Sequence, residues 1–335
     1  EQIFIPERKI GTAMLNDKVK VFMYAHRKGK EPEGEVVEIL RRAQDTFVGI
    51  LEVSDNFAFL NVQSKVLNSD ILIPKAKLKG GKTGQKALVR IIEWKHTMKS
   101  PVGEVIDVLG DKGDNDAEMH AILAEYGLPY KYPENVEAAA EKIEAGITPQ
   151  DISKRRDMRS VTTFTIDPRD AKDFDDALSI RKLDNGLWEV GVHIADVTHY
   201  VRPGTIIDKE GQERATSVYL VDRKVPMLPE YLSNGICSLR PDEDKLTYSV
   251  IFQLNERAEI KSYEIAKTVT RSNRRFTYEE AQSVIETGEG DYKEEILTLN
   301  ELAKKLREKR FQSGAIAFDR EEVRFEIDEK GKPLS

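Results

Sequence analysis

The chain has 335 residues, of which 39% are hydrophobic and 33% are charged, and its formal net charge is −7. This balance excludes a disordered or fibrous protein, and the length predicts two or three domains. No apolar run approaches the roughly 20 residues that cross a bilayer, and a single cysteine, Cys237, excludes a disulfide framework. We therefore expect a cytoplasmic protein without a membrane partner.

An internal repeat occupies the N-terminal third. Residues 3–6 read Ile-Phe-Ile-Pro and residues 71–74 read Ile-Leu-Ile-Pro, and a Gly-Glu-Val start recurs at 34–36 and 103–105. Each copy has short alternating strand patterns between turns, which is typical of a small antiparallel barrel. The strand–turn–strand pattern before the second copy, at 46–62, has no counterpart before the first. We therefore expect the chain to begin inside a domain, so that the first barrel is incomplete.

The charges are distributed unevenly. The net negative charge alone argues against nucleic acid, because phosphate binding needs basic surface. However, residues 71–99 contain many cations and one acid, Glu93. A basic segment of this kind is most often a solvated face, but its position beside an acidic site matters more than the total charge.

The remainder of the chain mixes helix and strand patterns. Residues 111–155 predict a turn followed by helices at 117–125 and 133–145. Thr277 and Glu280 fit a capping box at the start of a helix. Further patterns predict strands at 161–166, 188–192, 246–254 and 322–327, and a helix at 293–312.

An aspartate cluster follows the first of these strands. Asp167, Asp170, Asp173, Asp175 and Asp176 lie within ten residues. Carboxylates at such density repel one another, and a divalent cation relieves the repulsion. Mg²⁺ prefers carboxylate oxygens and shares them with substrate phosphates, and paired ions promote phosphodiester displacement. The alternative is a solvated acidic loop. A calcium loop of the EF-hand type does not fit the spacing.

Three segments carry a resemblance to a known family. Residues 165–177, 190–201 and 214–240 resemble the ribonuclease II and ribonuclease R exoribonucleases, with the bacterial ribonuclease R branch the more similar. The repeat looks like the cold-shock domains of that family. The resemblance implies an α+β fold: N-terminal cold-shock-type OB β-barrels, the first incomplete, followed by part of an RNB-type α+β catalytic domain. The implied domains are 1–40 (first barrel, C-terminal part), 41–110 (second barrel), 111–155 (helical linker region) and 156–335 (N-terminal part of the RNB domain).

The resemblance also implies an activity. A family member of this kind is a Mg²⁺-dependent, processive 3′-to-5′ exoribonuclease that hydrolyses single-stranded or partly structured RNA to nucleoside 5′-monophosphates, and we expect it to be a monomer. The family's catalytic domain continues beyond the region matched here, so low activity is expected of this fragment. The alternative is an RNA-binding regulator that has the fold without catalysis.

Specific residues match the family's functional positions. Asp167, Asp173, Asp175 and Asp176 match the catalytic and metal-binding aspartates, whereas Asp170 is given no ligand role. Tyr219 matches a tyrosine that packs on a base near the 3′ end. Tyr278 matches a second active-site tyrosine.

Other residues are expected to bind RNA or to support the fold. Phe57 and Phe59 share one strand face and either stack on bases or fill the barrel core. Lys75 and Lys77 are expected to contact phosphate, with a solvated surface as the alternative. His193 is expected to be structural rather than catalytic.

Overall fold

The computed structural model describes residues 2–25, 31–62, 66–67, 69–317, 325–326, 328 and 334. The chain divides into two compact units. Unit 1 comprises Glu1–Lys131, Leu220–Arg223 and Phe325–Ser335, and unit 2 comprises Tyr132–Tyr219 and Lys224–Arg324. Within the described part of the chain, no helix has the length and apolar character needed to span a membrane.

The first copy of the repeat forms a small open sheet in unit 1. A 3-10 helix at Glu7–Lys9 precedes strands β1 (Lys18–Met23) and β2 (Gly34–Arg41), which pair antiparallel. An isolated parallel bridge joins Phe4 to Glu33. The described residues of this copy therefore contain a two-stranded sheet rather than a closed barrel, as predicted.

The second copy closes into a barrel of five strands in the order β3-β4-β5-β7-β6. Its interior is filled by alternate apolar side chains, including Leu51, Leu60 and Ile71, which are fully buried. The elements are β3 (Thr46–Val53), β4 (Phe57–Val62), β5 (Ile71–Pro74), a 3-10 helix (Lys75–Lys77), β6 (Gln85–Glu93) and β7 (Val102–Asp111).

The two copies share an ion pair as well as a strand pattern. In each copy the 3-10 helix ends in a lysine that contacts a glutamate near the start of the last strand. The Nζ–Oε2 distance is 2.7 Å for Lys9 and Glu35 and 2.9 Å for Lys77 and Glu104. Lys77 therefore has a local partner in the fold.

Helix α1 (Asn115–Glu125) packs against the barrel of unit 1. Asp114 caps it by accepting a hydrogen bond from the Ala117 amide at 3.1 Å. Its buried face, with Ala121 and Ala124, packs on Val48 and Leu109 of the barrel. The prediction of a helix at 117–125 is confirmed.

Unit 2 is built on a mixed seven-stranded sheet with the order β16-β9-β10-β11-β14-β15-β8. The outermost pairs, β16 with β9 and β15 with β8, are parallel, and the pairs between them are antiparallel. The strands are β8 (Arg156–Asp157), β9 (Thr163–Asp167), β10 (Asp176–Lys182), β11 (Trp188–Ala195), the separate hairpin strands β12 (Val218–Tyr219) and β13 (Lys224–Val225), β14 (Asp244–Leu254), β15 (Ile260–Arg271) and β16 (Arg274–Thr277).

The helices of unit 2 cover this sheet. The capping box predicted at Thr277 is present at the start of α6 (Tyr278–Thr287). Thr277 Oγ1 accepts a hydrogen bond from the Glu280 amide at 3.1 Å, and Glu280 Oε2 accepts one from the Thr277 amide at 2.8 Å. The predicted strand at 322–327 lies largely outside the described residues. The helices are α2 (Glu134–Glu141), α3 (Pro149–Ser153), α4 (Val197–Tyr200), α5 (Ile206–Arg214), a π-helix (Tyr231–Ile236), α6 (Tyr278–Thr287) and α7 (Lys293–Gln312).

The acidic motif lies at one end of the strands, which we call the acidic edge of the sheet. Strand β9 ends at Asp167, and its antiparallel neighbour β10 begins at Asp176, so both residues lie at this end of the sheet. Strand β16 runs parallel to β9 and pairs Thr277 with Asp167, which brings Tyr278 to that edge as well. The topology thus unites residues more than a hundred positions apart in sequence.

Candidate active site

The loop between β9 and β10 carries the aspartates and is held in place by hydrogen bonds to Ser238 and Leu239. The Phe174 amide donates to Ser238 Oγ at 3.0 Å, and Ser238 Oγ donates to the Lys172 carbonyl at 2.9 Å. The Leu239 amide donates to the Phe174 carbonyl at 2.9 Å. These bonds hold the loop on both sides of Asp173, so its carboxylate projects from a fixed backbone.

Asp167 is the most enclosed carboxylate of the motif. It is 8% exposed, and its Oδ2 is buried without a hydrogen-bond partner among the described residues. Burial raises the pKa of Asp167, and the charge of Asp176 raises it further, while Thr165 and Arg275 act in the opposite direction. A buried carboxylate oxygen that lacks a donor is costly, and a bound cation would satisfy it.

Asp175 belongs to the same electrostatic cluster. Partial burial raises the pKa of its carboxyl, and Asp176 and Asp167 raise it further by like-charge repulsion. The charge of Asp176 therefore opposes the ionisation of both Asp167 and Asp175. A divalent cation among them would remove that repulsion.

Asp173 has a different partner. Its Oδ2 contacts the ammonium of Lys224, which lies on the hairpin formed by β12 and β13. Lys224 is paired there with Tyr219, and its Nζ lies 5.6 Å from the centroid of the Tyr219 ring. Asp170 is exposed on the turn before this segment.

The residues fit Mg²⁺ by their chemistry. Carboxylate oxygens are the donors that this ion prefers, and the unpartnered Oδ2 of Asp167 is a position that a cation could occupy. Across the ranges that the structure describes, no three or more His, Cys, Asp or Glu side chains are grouped closely enough to hold a metal ion. One of the four predicted ligands, Asp173, contacts Lys224 instead of the other aspartates.

The two predicted tyrosines are accessible. Tyr278 is 52% exposed at the first position of α6, directly after Thr277, which pairs with Asp167. Tyr219 is 70% exposed on its hairpin. Neither ring is used by the core, so both are available for stacking.

The barrel aromatics face outward in unit 1. Ala58 and Leu60 of β4 are fully buried in the barrel, which leaves Phe57 and Phe59 on the opposite face. Their ring centroids are 5.5 Å apart in a T-shaped arrangement, and Phe57 is 41% exposed. The alternative that these rings fill the core is therefore wrong.

The predicted RNA-binding lysines make local contacts. Lys75 Nζ donates to the Asp55 carbonyl at 2.6 Å, and Lys77 Nζ lies 2.9 Å from Glu104 Oε2. Both contacts involve exposed groups, which long lysine side chains can exchange for other anions at little cost.

Sequence reasoning missed two residues beside the acidic loop. Arg275 donates to the carbonyls of Pro168 and Arg169 at 2.5 and 2.9 Å, and so ties β16 to the start of the motif. It adjoins the segment that led to Tyr278, which could have indicated it. Lys224 gave no signal, because 51 positions separate it from Asp173.

The comparisons with known proteins agree with this architecture. Residues 155–335 match the RNB domain, and residues 1–58 and 59–133 match the cold shock domain. The described chain thus has a cold-shock-type region, with one closed barrel, ahead of a domain of mixed α and β content. The chain belongs to the RNB domain family, and its resemblance to ribonuclease R is confirmed.

Individual relatives show how far the similarity extends. Ribonuclease R of Thermotoga maritima is 36% identical over 99% of this chain and 48% of that protein. Human exosome complex exonuclease RRP44 is 35% identical over 89% of this chain and 32% of that protein. The apo structure of Mycoplasma genitalium RNase R matches 98% of this chain and 53% of that chain, with a TM-score of 0.87 at 23% identity, which supports the fold. The chain spans about half the length of the ribonuclease R proteins that it matches.

Proposed function

We propose that this chain is part of an RNA-degrading enzyme, a processive 3′-to-5′ exoribonuclease that releases nucleoside 5′-monophosphates by hydrolysis. The observation that carries the proposal is the buried, unpartnered Oδ2 of Asp167. Burial and the like charge of neighbouring aspartates raise the pKa values of Asp167 and Asp175 at this end of the sheet. Protonation, favoured by the raised pKa values of Asp167 and Asp175, or a bound cation would relieve this arrangement. Family membership supports the reaction class.

The chain's own residues have distinct roles in this proposal. The unpartnered Oδ2 of Asp167 would hold Mg²⁺, and Asp173, Asp175 and Asp176 would have to move towards the ion to join it, because the described residues do not group three such ligands and Asp173 contacts Lys224. When bound, the ion supplies Lewis-acid stabilisation of the charge that develops on the phosphate oxygens. Tyr278 lies beside Asp167 at the sheet edge and would position the nucleotide next to the scissile bond. Tyr219 would stack on a base near the 3′ end.

The substrate proposed is single-stranded or partly structured RNA. Phe57 offers an exposed ring on the barrel, with the half-buried Phe59 packed edge-on against it, and stacking on aromatic faces is tolerant of sequence. Lys75 and Lys77 would add phosphate contacts. The Mycoplasma RNase R has been solved in complexes with ribose-methylated single-stranded RNA and with double-stranded RNA. A cytoplasmic, monomeric protein is part of the same proposal.

We expect low turnover from these 335 residues alone. The ribonuclease R relatives match this chain over about half of their own length, and one predicted ligand, Asp173, contacts Lys224. Removing one charge-stabilising group can cost two or three orders of magnitude in rate, roughly 10²–10³-fold. Assays should therefore use protein in excess over RNA.

The test is single-turnover degradation of a 5′-labelled single-stranded RNA with Mg²⁺, beside Asp175→Asn and a parallel binding titration. We expect a ladder that shortens from the 3′ end, depends on Mg²⁺ and disappears in the variant. Binding without any shortening would contradict the proposal for this chain and favour the alternative, an RNA-binding protein without catalysis.

A further inference from the structure

Lys224 is held in place by its own hairpin. It is the first residue of β13 and pairs directly with Tyr219 of β12. The hairpin is fixed further by the Met227 amide, which donates to Ser217 Oγ at 3.0 Å. The lysine side chain is 20% exposed and the Asp173 side chain 13% exposed, so their contact is shielded from water.

Asp173 is equally constrained. Its loop is anchored by Ser238 and Leu239, as described above, so the carboxylate cannot leave Lys224 by moving the backbone. The lysine has the greater freedom to separate, because its four-carbon stem carries a compact point charge on rotatable bonds. A cation that binds Asp173 would therefore compete with this ammonium for the carboxylate.

Lys224 also feels the charge of Glu230, and RNA bound at Tyr219 would bring a further anion near it. Lys224 Nζ lies 5.6 Å from the centre of the exposed Tyr219 ring. A base stacked on that ring brings its sugar and phosphate within the range of a lysine side chain. The lysine could thus contact either the Asp173 carboxylate or a phosphate of RNA stacked on Tyr219.

We propose that Lys224 is a positioning residue that occupies Asp173 in the ion-free protein and moves to an RNA phosphate beside Tyr219 when a divalent cation takes Asp173. The inference rests on the proposed function and deepens it. It predicts that ion binding and RNA binding are coupled through one side chain. The coupling is reciprocal, so RNA should also tighten ion binding.

The first test measures ion affinity without RNA. Mn²⁺ is titrated into the wild type, Lys224→Gln, Lys224→Arg and Asp173→Asn, and free Mn²⁺ is followed by electron paramagnetic resonance. Loss of the competing ammonium should tighten Mn²⁺ binding about fivefold in Lys224→Gln, the size expected for a modest ion pair. Lys224→Arg keeps the competing charge and should not tighten binding, and Asp173→Asn should weaken it.

The matched control is Lys209→Gln, an exposed lysine on α5 of the same unit. It removes the same charge without touching Asp173, so its Mn²⁺ affinity should equal that of the wild type. Circular dichroism would show that each variant is folded.

The second test measures binding of a ribose-methylated single-stranded RNA by fluorescence anisotropy, with Mg²⁺ and with EDTA. Lys224→Gln should weaken binding about fivefold with Mg²⁺, as expected for one phosphate contact, and have a smaller effect in EDTA.

The outcomes separate the two proposals. If Asp173→Asn weakens Mn²⁺ binding but Lys224→Gln does not change it, the role of Lys224 is overturned and the proposed ion site stands. If the wild type binds no Mn²⁺, the ion site of the proposed function fails and the Lys224 inference fails with it. Tighter binding by Lys224→Gln, together with RNA affinity that falls only with Mg²⁺, supports the inference.

Discussion

Acidification should destabilise unit 2 through His193. This residue lies in the middle of β11 and is fully buried. Its Nδ1 is 2.6 Å from Ser249 Oγ and its Nε2 is 2.8 Å from Ser179 Oγ. Burial lowers the pKa of His193 to about 4, with a smaller contribution from Arg156. We therefore expect the ring to be neutral in the folded protein above about pH 4, and its burial between two serine hydroxyls supports a structural rather than a catalytic role.

The direction and size of the effect follow from the two pKa values. In the unfolded chain the pKa of this imidazole is near its ordinary value of 6.5. Above that pH the ring is neutral in both states, so it does not lower the free energy of unfolding. As the pH falls towards 4, the imidazole binds a proton in the unfolded chain but not in the folded chain. The free energy of unfolding should therefore fall by about 2 kcal/mol at about pH 5 and by about 3 kcal/mol at about pH 4.

The assay is urea unfolding at about pH 7.5 and about pH 5, comparing the wild type with His193→Asn. Trp188 shares strand β11, so a Trp94→Phe background makes the fluorescence report on unit 2. The variant should be less stable at both pH values but should lose less stability on acidification, and His193→Gln serves as a second variant. An identical loss in wild type and both variants would refute a buried neutral His193.

Three further predictions concern single side chains. Phe57→Ala should weaken single-stranded RNA binding by about 1–3 kcal/mol in anisotropy titrations, whereas the equally exposed Ile92→Ala should not; equal losses would argue against stacking. Tyr219→Ala should lengthen the final RNA product on sequencing gels with unchanged thermal stability, because the ring is exposed; an unchanged product would contradict its role. Thr277→Ala should destabilise unit 2 by about 1 kcal/mol in urea through loss of the α6 cap, and no change would contradict that role.

Local signals in the sequence predicted local structure. The Ile-x-Ile-Pro repeat predicted matching strands and turns, and the structure repeats even the lysine–glutamate pair. The capping box at Thr277 and the helix at Lys293–Gln312 were predicted in place. These features depend on residues a few positions apart, where backbone preferences and hydrogen-bond geometry decide the outcome.

Contacts between distant strands could not be predicted in this way. The hydroxyls around His193 come from β10 and β14, and only the sheet order brings them together. The outward direction of Phe57 and Phe59 depended on whether Leu60 or its neighbours filled the barrel. The strand β15 has an exposed, mostly polar start, so it lacked the apolar signal of a buried strand. The predicted domain boundaries and ligand roles stay predictions.

The proposed function requires the aspartates at the acidic edge of the sheet to form the hydrolytic centre. The most direct measurement compares single-turnover degradation of a 5′-labelled RNA by Asp176→Asn and Asp170→Asn. Both variants remove one charge from the same loop, but Asp170 is exposed on the turn and Asp176 belongs to the cluster with Asp167. We expect a rate reduced at least about 100-fold in Asp176→Asn, more than loss of an outer partner would cause, and a rate near that of the wild type in Asp170→Asn. Equal rates in the two variants would contradict the proposed function.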